Sequence, residues 1–207
     1  MKIKNILFDF DGVIADSEFF QLKIWGEILA EEGFAISELG ISAIAGIADE
    51  LAIQNLFPGQ NEAIYRTLVR KKKQRCEERS QEIAPVQGMR EFLNTYHSTR
   101  AFYICSNSHA REIRHFTQSH FPDIPFQKIL GRGDFSNQKP DPAPYLKLME
   151  LTGITPAESI VIEDSAAGVK AAQAAGLTVI YFDRYGLKIP KVKAVVSLDA
   201  LIAEGII

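Results

Sequence analysis

Cysteine is scarce in this 207-residue chain: Cys76 and Cys105 are the two present, far apart and without metal-type spacing. That scarcity argues against a disulfide framework or a zinc cluster and fits two reduced thiols in a cytosolic protein. Long apolar runs are missing as well. No stretch approaches the roughly 18 residues of a membrane-spanning helix, so no membrane partner is expected. The opening MKIKNILFDF is broken by Asp9 too early to serve as a signal peptide. Charge of one sign is also short. A net charge of −3 offers no field that would make nucleic acid or an anionic membrane the main partner. There is no internal repeat and no low-complexity tract. A cytoplasmic chain acting as a monomer or weak homo-oligomer is the expectation.

What the chain does have is a core. Hydrophobic residues make up 46% and charged residues 24%, enough for one substantial domain or one domain with a small insert. Short apolar runs read as buried parallel strands: IKNILF (3–8), RAFYICS (100–106), FQKIL (126–130), SIVIE (159–163) and LTVIYF (177–182). Helical patterns at 108–119, 142–152 and 165–176 alternate with the later strands, the last ending at Gly176 as a C-terminal cap. Strands apolar on both faces, alternating with helices, imply a parallel sheet covered on both sides. From Asp16 to Ala84 no strand pattern occurs. SEFFQLKIWGEILAEEG begins at a Ser17 cap and puts Phe20, Ile24, Ile28 and Leu29 on one face. A structureless loop of that length is improbable, so a helical insert is expected, placed where a lid belongs.

Ligands of an open parallel sheet bind outside the carboxyl ends of its strands. Four predicted strand ends carry polar clusters: Asp9 and Asp11; Ser106 to Ser108; the GRGDFSNQKP stretch leading to Lys139; and Glu163 with Asp164. Asp9, Asp11, Glu163 and Asp164 would repel one another unless a cation lay among them. Hard oxygen donors without His or Cys nearby point to Mg²⁺, which commonly bridges to a substrate phosphate. Pro140 holds Lys139 extended, and Asp141 caps the helix that follows, whose first turn tolerates Pro142. Ser106, Asn107 and backbone N–H groups at a helix start suit a phosphate, with Ser108 capping that helix. His97, His109, His115 and His120 read as structural or surface residues on core helices.

In order and context, DFDGV, CSNS, QKPDP and IEDSAAGVKAAQAAG resemble the four motifs of the haloacid dehalogenase-like (HAD) superfamily. EDSAAGVKAAQAAG and KPDPAPY resemble the branch that includes β-phosphoglucomutase and phosphoglycolate phosphatase. The resemblance implies a Rossmann-like α/β core (1–15 and 85–207) with an inserted α-helical cap (16–84). It implies Asp9 as a nucleophile forming an aspartyl phosphate and Asp11 as the acid that protonates the leaving oxygen and then activates water. It implies Mg²⁺ held by Asp9, the Asp11 carbonyl and Asp164, with Glu163 assisting, and charge neutralisation by Lys139 and Ser106. An acid at position 11 favours phosphate esters over dehalogenation, since halide leaves without a proton. Some relatives hydrolyse phosphonates through a cap lysine, but RKKKQR, with Lys71, Lys72 and Lys73, reads first as a solvated helix face. Sugar-phosphate members often carry a cap arginine a few residues after a glycine. Here the stretch Gly46 to Leu51 offers Ala48 or Asp49 instead, which tilts the expectation towards hydrolysis. The expected activity is a Mg²⁺-dependent phosphatase for a small phosphorylated metabolite; the alternative is a phosphomutase, an isomerase using the same intermediate.

Overall fold

The computed structural model describes residues 3–34, 49–59, 61–184, 186, 189 and 192–203; Gly46 to Ala48 of the stretch expected to lack a cap arginine lie outside them. The chain divides into two compact units, Asp16–Ala84 and Met1–Ala15 with Pro85–Ile207. The larger begins with β1 (Asn5–Phe8), and the smaller holds α1 (Ser17–Glu31), α2 (Asp49–Leu56) and α3 (Glu62–Glu78). The larger unit continues through α4 (Met89–Tyr96), β2 (Ala101–His109), α5 (Ala110–His120), β3 (Phe126–Arg132), α6 (Ala143–Thr152) and β4 (Ser159–Glu163). It ends with α7 (Ala166–Ala174), β5 (Thr178–Phe182), β6 (Lys193–Val195) and α8 (Leu198–Ala203).

All four side chains of β1 and all five of β4 are buried, which requires a covering layer on both faces. Helices supply it on both sides of a sheet of six strands in the order β3-β2-β1-β4-β5-β6, every pairing parallel. On one face Leu7, Cys105, Val161, Val169, Ala172 and Tyr145 pack together. On the other, Phe8 makes edge contacts with Phe92 and Phe102. Each fully buried Leu, Ile or Phe contributes about 1.5–3 kcal/mol. The strand order reverses beside β1, since the chain runs outward through β2 and β3 and then returns to β4 on the opposite flank. A reversal of this kind opens a crevice at the carboxyl ends of the two strands.

The five predicted strands are present, and β6 is an addition. Gly176, at φ +78°, closes α7 as expected, its N–H reaching the Gln173 carbonyl and that of Leu177 the Ala172 carbonyl, both at 3.0 Å. Asp141 caps α6 by accepting the Ala143 N–H at 2.8 Å. Two cap expectations need correction. Ser17 lies one residue inside α1, whose N-cap is Asp16. Ser108 does not cap α5, because β2 runs on to His109 through an irregular register with β3, and its hydroxyl is used elsewhere. His109 accordingly ends a strand, not a helix.

The helical unit has a core of its own, built from Phe20, Ile24, Trp25, Ile28 and Leu29 of α1 against Ile53 of α2 and Leu68 of α3. Lys71 and Lys73 pair with surface carboxylates, as a solvated face would. Lys72 does not. It is 4% exposed and bonds to Asp49 Oδ1 at 2.9 Å and Gln21 Oε1 at 2.5 Å, while Trp25 Nε1 donates to the same Asp49 oxygen at 3.1 Å. Spacing explains the difference, since Lys72 stands four and three positions after the core residues Leu68 and Val69.

Candidate active site

The crevice at the β1/β4 reversal is where the predicted residues converge. Asp9 follows β1 directly, its N–H paired with the Ile162 carbonyl of β4 at 3.0 Å. Glu163 is the last residue of β4, and Asp164 follows it. One carboxylate oxygen each from Asp9, Glu163 and Asp164 lie within 4.8 Å of one another. The turn after Asp9 allows this approach because Gly12, at φ +71°, has no side chain. A Cβ there would lie 1.7 Å from Asp164 Oδ2.

Lys139 reaches into the same cluster from the loop after β3. Its Nζ donates to Asp9 Oδ1 at 2.6 Å, Glu163 Oε1 at 2.5 Å and the Cys105 carbonyl at 2.7 Å. Its backbone is clamped by one side chain, Asn107, whose Oδ1 accepts the Lys139 N–H at 3.0 Å and whose Nδ2 donates to the Lys139 carbonyl at 3.2 Å. The peptide bond to Pro140 is cis. The Asn107 amide, expected at a phosphate, is thus occupied in holding the lysine. Ser106 is 1% exposed and accepts the Ser108 N–H at 3.1 Å, which leaves its hydroxyl proton for another partner. Asp11 is half-buried, and Ser108 donates its hydroxyl to Asp11 Oδ2. This bond to Asp11 is not among the expected roles of Ser108; the local signal for it is the position two residues after Ser106.

Glu163 is fully buried, and protein donors meet both its oxygens. Oε1 takes Lys139 and the Tyr145 hydroxyl, the latter at 2.9 Å. Oε2 takes the Ser165 hydroxyl at 3.1 Å and the Ser165 N–H at 3.3 Å. Gly168 lies so close behind that a Cβ would sit 1.8 Å from Glu163 Oε1.

The buried Asp9 and Glu163 carboxylates share the ammonium of Lys139. Burial pushes the Asp9 carboxyl up to about 7, an effect that Lys139 opposes and that Glu163 and Asp11 reinforce. Burial works against the Lys139 ammonium, yet Asp9 and Glu163 hold it well above its ordinary range. A second cation beside Asp9 would restore the carboxylate. Asp9 and Asp164 fit such a cation: they are hard oxygen donors at hand, with no thiol or imidazole in the group. Cys105, pushed up to about 12 by burial, remains a thiol.

The model of the haloacid dehalogenase-like hydrolase family matches residues 6–182, and the chain belongs to that family. It is therefore a hydrolase of the HAD superfamily with the α/β fold of that group. A phosphorylated carbohydrates phosphatase of Thermotoga maritima is 26% identical over 184 residues, covering 86% of this chain and 84% of the relative. A fructose-1-phosphate phosphatase of Escherichia coli is 22% identical, covering 85% and 94%. Among solved structures, a HAD-superfamily hydrolase of Geobacter sulfurreducens superposes with a TM-score of 0.73 at 24% identity, over 98% of this chain and 96% of that one. CbbY of Rhodobacter sphaeroides, solved with phosphate, gives 0.65 at 21% identity, covering 96% of each chain. Among the described residues no helix is long and apolar enough to cross a membrane.

Proposed function

We propose that the chain is a Mg²⁺-dependent phosphatase that hydrolyses a small phosphorylated metabolite, a sugar phosphate or similar monoester, through an aspartyl phosphate on Asp9. The observation that carries this reading is Asp9 at the sheet reversal with Lys139 Nζ 2.6 Å from its Oδ1. Lys139 occupies Oδ1, so Oδ2 is the oxygen that attacks phosphorus. The bond to the leaving oxygen breaks as Asp11, oriented by Ser108, gives that oxygen its proton. Asp11, now a carboxylate, takes a proton from the water that attacks phosphorus and frees Asp9. Lys139 and the Ser106 hydroxyl offset the negative charge on the phosphoryl oxygens, with the main-chain N–H of Asn107 beside them. Mg²⁺ held by Asp9, Asp164 and the Asp11 carbonyl would neutralise the remaining charge. Glu163 contributes through Lys139. The helical unit is proposed to act as the cap that sets substrate choice, and no observation in the described residues favours a phosphomutase over hydrolysis.

Two results follow. Dialysis against a chelator removes phosphate release from p-nitrophenyl phosphate, and added Mg²⁺ restores it; hydrolysis unaffected by chelation rejects the metal dependence. Gly12→Ala introduces left-handed strain of about 1–2 kcal/mol and drives a methyl group into Asp164. It should raise the Mg²⁺ concentration for half-maximal activity by about tenfold or more. An unchanged Mg²⁺ titration contradicts the shared site.

A further inference from the structure

We propose that Tyr145 is a positioning residue for the hydrolysis, holding Glu163 in place while Lys139 transfers a hydrogen bond to the phosphoryl group; this rests on the phosphatase reading above. All three protons of the Lys139 ammonium are in use, on Asp9, Glu163 and the Cys105 carbonyl. To contact a phosphoryl oxygen the lysine must release one of them. Glu163 Oε1 is the partner best supplied to be released. Glu163 is 0% exposed, so an oxygen abandoned there would meet no water, and a buried acceptor left without a donor is costly. Tyr145, itself 0% exposed, donates to that same oxygen at 2.9 Å and so keeps it satisfied after the lysine moves. The same ring lies 5.0 Å from Lys139 Nζ, a cation–π contact that keeps the ammonium near the site during the exchange. The Ser165 bonds fix Oε2 meanwhile, so Glu163 does not follow the lysine.

The consequence is specific to the transition state, where Lys139 binds phosphoryl charge most strongly. Tyr145→Phe keeps the ring and removes the hydroxyl. With p-nitrophenyl phosphate and saturating Mg²⁺, kcat should fall about tenfold, the scale of losses on removing an outer partner of a site, with KM within about twofold. Tyr103→Phe, the same deletion in another buried tyrosine of this core, should leave kcat unchanged. In a Glu163→Gln background, Tyr145→Phe should cost less than about twofold, because the two residues act as one unit. An active wild type with Tyr145→Phe at equal kcat overturns the inference and leaves the phosphatase reading standing. Multiplicative losses in the double variant, a rise confined to KM, or a Tyr145→Phe protein that fails to fold also overturn it, since each marks Tyr145 as packing. A wild type that releases no phosphate from any ester overturns the phosphatase reading, and the inference with it.

Discussion

Asp9→Asn should reduce hydrolysis of p-nitrophenyl phosphate by at least about 10⁴-fold, the scale seen when a covalent nucleophile is removed, while leaving the fold intact. Asparagine has the same shape, can still accept a bond from Lys139, and cannot form the phosphoryl ester. Stability moves in an informative direction. The Asp9 carboxyl titrates near 7 in the folded chain against a reference of 3.8. A raised carboxyl contributes stability at low pH, and that contribution is lost as pH rises from the reference value through about 7. At pH 8 without Mg²⁺ the wild type carries the cost of a buried, ionised Asp9, which the variant lacks. Asp9→Asn should therefore melt no lower than wild type under those conditions. A large loss of stability would mark Asp9 as structural, and retained turnover would remove it from the chemistry.

Lys139→Met should damage both properties at once. Its side chain is 3% exposed and faces two carboxylates at 2.6 and 2.5 Å. Removing one member of such a buried cluster leaves the opposite charges uncompensated and costs about 3–5 kcal/mol. Turnover should fall about 10²- to 10³-fold, as for loss of one preorganised charge stabiliser. Adding Glu163→Gln removes the charge orphaned at that position. The double variant should recover part of the stability, read by urea denaturation, and none of the activity. If Lys139→Met unfolds at the wild-type urea concentration, the buried cluster does not have the charges assigned to it.

The sheet could be read from the sequence because β1 and β4 are buried on both faces, and such strands show as continuous apolar runs. β6 could not, because three residues, Lys193–Val195, two of them exposed, carry no periodic signal. The acids at the strand ends stood out for a related reason, since carboxylates seldom end a buried strand without a task. Their individual roles were harder to see. Glu163 is held by Lys139 and Tyr145, 24 and 18 positions earlier in the chain, and nothing local announces those bonds. Asn107 looked like a phosphate ligand by composition, yet its amide closes on Lys139, 32 positions away. Lys72 was hidden by its neighbours: RKKKQR reads as a charged surface, whereas helical spacing places one lysine of the run on the core side of α3.

The most direct test is to quench the enzyme in acid while it turns over a phosphomonoester with Mg²⁺ and to map the phosphoryl group by peptide mass analysis. A phosphoryl group is expected on the peptide containing Asp9, carried by Asp9 and absent in Asp9→Asn. Full turnover with no trapped phosphoryl group, or with one on another residue, would contradict this expectation.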